Sequence, residues 1–96
     1  MYVCACHYDL FLLDKPDSLK GKRHVMKSLK ERLRSRLGIS VAEVGSQELL
    51  HRGELGMAFV GERMDVLEGV AQDVRKMIES HGSVEVLSSM VDYQKY

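Results

Sequence analysis

Five cations recur along one stretch of this 96-residue chain at intervals of three and four residues: Lys20, Arg23, Lys27, Lys30 and Arg34. Wound into a helix, that spacing gathers them in one narrow arc. The chemistry open to such an arc is phosphate binding. Lys22 and Arg36 add flanking contacts, and Lys15 and Arg32 raise the local charge further. Residues 15 to 36 hold nine cations against Asp17 and Glu31 alone, an excess of seven. The whole chain is neutral, with 14 Lys and Arg against 14 Asp and Glu, so the remainder is acidic. Neighbouring like charges on a helix cost roughly 0.2–0.5 kcal/mol per pair. Cations in the first turn also oppose the helix dipole. Neither choice serves stability, and both serve a bound polyanion. The competing reading is a solvated face, or one neutralised by Glu62, Asp65, Glu68 and Glu79 of the second helix.

Other reactive side chains are sparse. Cys4 and Cys6 lie two apart on a strand face assigned to the core, with no second pair to complete a metal site. They read as buried, reduced, structural thiols. His7 and Asp9 share a strand face and could form an acid/base pair. No nucleophile or phosphate-cradling glycine loop accompanies them, so a structural role is the better account. His51 and Arg52, with Gln47 and Glu48, make the most polar loop and read as a binding loop. No dinucleotide, P-loop, zinc-protease or nucleophile-elbow motif is present. The expectation is no enzyme, no cofactor and no metal.

The elements that position these residues follow from periodicity. Tyr2 to Leu13 alternates, with Tyr2, Cys4, Cys6, Tyr8, Leu10 and Leu12 on one face. Pro16 ends that strand. Asp17 or Ser18 caps a helix running to Leu37, whose apolar arc is Leu19, Val25, Met26, Leu29, Leu33 and Leu37. Gly38 reads as its left-handed C-terminal residue. Ile39 to Val44 is a second strand, Gly45 to Gly53 a long hairpin connection, and Leu55 to Val60 a third strand. A helix from Glu62 to Ser80 carries Val66, Leu67, Val70, Val74, Met77 and Ile78, with Gly82 as its terminator. Val84 to Val91 is the fourth strand.

Both helices must bury one face. The economical arrangement is α+β, a ferredoxin-like βαββαβ fold with two helices on one face of a four-stranded antiparallel sheet, in one domain over residues 1–96. The other sheet face is then uncovered. It is expected to present Val3, His7 and Phe11 from the first strand. From the third, small Gly56, Ala58 and Val60 would lie beneath a helix while Met57 and Phe59 point outward. Such a patch suggests a homodimer or a protein partner. Leu55-Gly56-Met57-Ala58-Phe59-Val60 also resembles part of the ribonucleoprotein-1 motif of RNA recognition motifs. It departs at Leu55, Met57 and Glu62, where that motif carries a cation and aromatics.

Three blocks carry a wider resemblance: Ser18-Leu19-Lys20-Gly21-Lys22-Arg23, Ser40-Val41-Ala42-Glu43-Val44 and Leu55-Gly56-Met57-Ala58-Phe59-Val60-Gly61. They resemble the signature stretches of the YlxP-like bacterial family of unknown function, over nearly the whole chain. The resemblance implies a ferredoxin-like fold, no assigned enzymatic activity and a loose association with translation and ribosome-maturation genes. Gly21 departs from the acidic residue common there, which would have completed a capping box with Ser18.

No run of eighteen apolar residues or basic leader stretch is visible, so the expected location is cytoplasmic. The leading expectation is an accessory protein that touches RNA or the ribosome through Lys20, Lys22, Arg23, Lys27, Lys30 and Arg34. The alternative is a homodimeric interaction module built on Val3, His7, Phe11, Met57 and Phe59.

Overall fold

A computed structural model describes residues 1–96. The elements run β1 (Tyr2–Leu12), α1 (Leu19–Leu37), β2 (Ser40–Gly45), β3 (Arg52–Gly61), α2 (Met64–Glu79) and β4 (Val84–Lys95). The strands form one antiparallel sheet in the order β2-β3-β1-β4. This is the ferredoxin-like βαββαβ arrangement. No helix is long and apolar enough to cross a membrane.

Alternation along β1 decides which face is covered. Cys4, Cys6, Tyr8, Leu10 and Leu12 are all buried. They meet Met26, Leu29 and Leu33 of α1 and Leu67, Val74 and Ile78 of α2 in one cluster. Each fully buried leucine or isoleucine contributes roughly 1.5–3 kcal/mol. The helices start and stop where local chemistry directs. Ser18 caps α1, its Oγ accepting the Gly21 amide at 3.1 Å. Gly38 closes α1 at φ 63°, donating its amide to the Arg34 carbonyl. A left-handed residue there suits glycine, which has no Cβ to clash. Gly82 plays no such part: α2 ends at Glu79, and Ser80 beyond it is still right-handed.

Register corrects the expectation for β3. Cys4 stands opposite Phe59, Cys6 opposite Met57 and Tyr8 opposite Leu55. Directly opposed residues of an antiparallel pair share a face. Because Cys4, Cys6 and Tyr8 face the helices, Phe59, Met57 and Leu55 must as well. Met57 is 3% exposed and Phe59 packs against the core. Gly56, Ala58 and Val60 are the residues that look outward. The core needs volume, and glycine and alanine cannot supply it.

β4 continues four residues past the expected Val91. Tyr93 turns toward the core while Asp92 and Gln94 face out, so the polar tail still follows the pleat. A register shift at Asp9 and Leu10 of β1 leaves Leu87 as an extra residue in β4.

Candidate nucleic-acid interface

The basic arc of α1 is built by the helix that buries Lys22, Met26, Leu29 and Leu33. At 100° per residue, Lys20, Arg23, Lys27, Lys30 and Arg34 fall on one flank of that buried seam. Lys20, Arg23, Lys27 and Arg34 are exposed and Lys30 is half-buried. The flank is about 21 Å long at the usual helical rise. Its Arg34 guanidinium donates to the Val41 carbonyl, which ties the C-terminal end of the flank to β2. Arg36 is exposed beyond it.

Almost none of this charge is neutralised internally. The one ion pair on the flank is Lys27–Glu31 at 4.0 Å, between well-exposed side chains. Such a pair is worth little, 0 to about 1 kcal/mol. The carboxylates of α2 do not reach across. Asp65 pairs with Arg63 at 2.6 Å and Glu79 with Arg75 at 3.6 Å.

Lys22 is the exception, and it corrects the sequence-based assignment. It is 1% exposed and lies among the apolar residues of α1, so it is withdrawn from any phosphate. Its ammonium donates to the Ser46 carbonyl. Burial pushes its pKa down, while Glu43 and Glu54 pull in the opposite direction. Spacing carried the signal: Lys22, Met26, Leu29 and Leu33 recur at four, three and four residues, which sets Lys22 in the apolar seam.

Ser46 joins Lys22 to a polar group on the open face, and residue types did not disclose it. Its backbone is left-handed at φ 57°, unusual for serine. Its Oγ donates to Glu54 Oε2 at 2.6 Å, and His7 Nε2 contacts Glu54 Oε1 at 2.9 Å. The Ser46 hydroxyl and then the His7 ring hold the Glu54 carboxyl below its ordinary range. Gly45 makes room, because a Cβ there would strike the Glu54 carboxylate. His7 and Asp9 are therefore bonded to other residues rather than to each other. Each is engaged across the strands, Asp9 by Arg52 at 2.7 Å. Phe11 is half-buried, its ring edge-on to His51 at 6.4 Å. No surface cleft is lined by His7, Asp9 or His51.

On the open face the structure keeps Val3, His7 and Phe11 and removes Met57 and Phe59 from the expected partner surface. Val60, Met90 and Val44 take their place, 65%, 63% and 53% exposed. Losing Phe59 also removes the ring a stacking platform would need. Cys4 and Cys6 are buried with sulfurs 3.8 Å apart. Burial pushes the Cys6 thiol up to about 12, far from a reactive thiolate.

Comparison with known proteins adds a family and a fold. The model of the family described as "Protein of unknown function (DUF503)" matches residues 3–91. The uncharacterized protein YlxP of Bacillus subtilis (strain 168) is 32% identical over 68 residues, 71% of this chain and 74% of YlxP. A crystal structure named as a candidate chlorite dismutase, TA0507, superposes over 97% of this chain with a TM-score of 0.56 at 10% identity. This chain spans 44% of that one, and the likeness is one of fold.

Proposed function

Because this chain belongs to the YlxP-like DUF503 family, whose function is unknown, its surface has to supply the reading, and we propose that it is a non-catalytic accessory protein that contacts RNA, as on a ribosome. One observation carries this. Five cations follow one flank of α1, and their single carboxylate neighbour stands at 4.0 Å. Lys20, Arg23, Lys27, Lys30 and Arg34 engage backbone phosphates, positioning the protein without reading sequence. Each contact releases a counterion, so affinity falls steeply with salt.

Filter binding to ribosomal RNA tests it. With five phosphate contacts the log–log slope against salt is about −3.5 to −4.5. Replacing all five cations by alanine abolishes binding. Equal binding by that variant removes the reading.

A second reading, a homodimer or protein contact through the open sheet face, is favoured by the exposure of Val60, Met90 and Val44 on the side the helices leave bare. Light scattering on wild type and Val60→Glu tests it. A dimer dispersed by the substitution supports it, and a monomer in both samples removes it.

A further inference from the structure

We infer that the RNA taken by the α1 flank is double-stranded and held by its phosphates, a step that rests on the RNA reading above. Proteins that hold single strands combine a basic groove with rings on which bases stack. Each stacked base adds roughly five- to 160-fold in affinity. This surface lacks the rings.

All six aromatic residues are accounted for. Tyr8 is buried, and Tyr2, Phe59 and Tyr93 pack against the core. The Tyr2 ring is further occupied by Lys95 Nζ, 5.8 Å from its centre. Phe11 is half-buried against His51, and Tyr96 is exposed at β4's end of the sheet, far along the chain from α1, with its hydroxyl donating to Gln94 Oε1 at 2.9 Å. Near the flank the one ring is His24, exposed beside Lys27, Ser28 and Glu31, none of them apolar.

What remains is a helix with one charged side. Its cations advance by about 4.5–6 Å per step along the axis. A duplex presents such a helix with two phosphate rows bordering a wide, shallow minor groove. Charge density favours it as well. Each phosphate contact contributes about 0.9 to the salt slope on a double strand (the B-form value) and about 0.7 on a single strand. Five contacts therefore predict slopes of about −4.5 and −3.5.

The test compares one RNA hairpin stem with its unpaired strand of equal length, titrated against the full chain between about 50 and 200 mM KCl. The expected result is a stem that binds tighter at low salt, with a slope near −4.5 and an advantage that shrinks about fourfold between about 50 and 200 mM. Lys20→Gln with Lys27→Gln, both on exposed side chains, lowers the slope magnitude by about 1.8. His24→Ala leaves stem binding unchanged. Tighter binding of the unpaired strand, or loss of stem binding in His24→Ala, overturns the duplex inference and spares the RNA reading. Binding to neither strand form overturns both.

Discussion

Lys22 shows how one side chain can belong to the basic segment by sequence and to the core by contact. Its stem fills space beside Met26 while its ammonium holds the Ser46 carbonyl. Lys22→Ala loses both, at about 2–4 kcal/mol. Lys22→Met keeps the stem and costs about 1–2 kcal/mol. Urea midpoints rank them, and RNA affinity of the folded Met variant stays at the wild-type level. Glu54 makes a second residue-scale prediction. Its folded pKa lies below its unfolded one, so its contribution is present above the ordinary glutamate range. It is lost as pH falls through the folded value. Between about pH 6 and pH 3, wild type therefore loses more stability than Glu54→Gln, whose amide does not titrate there. Parallel pH curves for the two would reject the network as drawn.

At the scale of elements, the two helices differ in how well their chemistry fits their geometry. α1 has a capped start, a glycine stop and no acidic residue in its first turn. α2 has no side-chain cap but carries Asp65 at its start. Gly38→Ala forces a Cβ into left-handed backbone and lowers stability by about 1 kcal/mol. Gly69→Ala, inside α2 with open space around the new methyl, raises stability by about 1 kcal/mol. Thermal melts of the pair should move in opposite directions. β1 and the ends of α1 are legible in sequence because alternation, Ser18 and Gly38 are local signals. The end of β4 is not, since a polar edge strand is recognised by its pairing with β1.

Over the whole molecule, charge and bareness lie on different surfaces. The basic flank runs along α1 on the helical side, and Val60 and Met90 stand on the opposite sheet face. RNA contact and self-association can therefore be tested separately. Val60→Glu should leave the salt slope of RNA binding unchanged, and the five-alanine variant should leave the oligomeric state unchanged, each read by filter binding and light scattering on the same samples. The element order, the covered face of β1 and the cationic spacing of α1 can all be read along the chain, because each is a periodicity within one segment. Folding in three dimensions turns Met57 and Phe59 inward, keeps the carboxylates of α2 away from the flank, and brings Ser46, Glu54 and His7 together. Those outcomes depend on strand register and on which helix flank looks away from its neighbour. Such relations join residues from eight to more than fifty positions apart, and no local pattern encodes them.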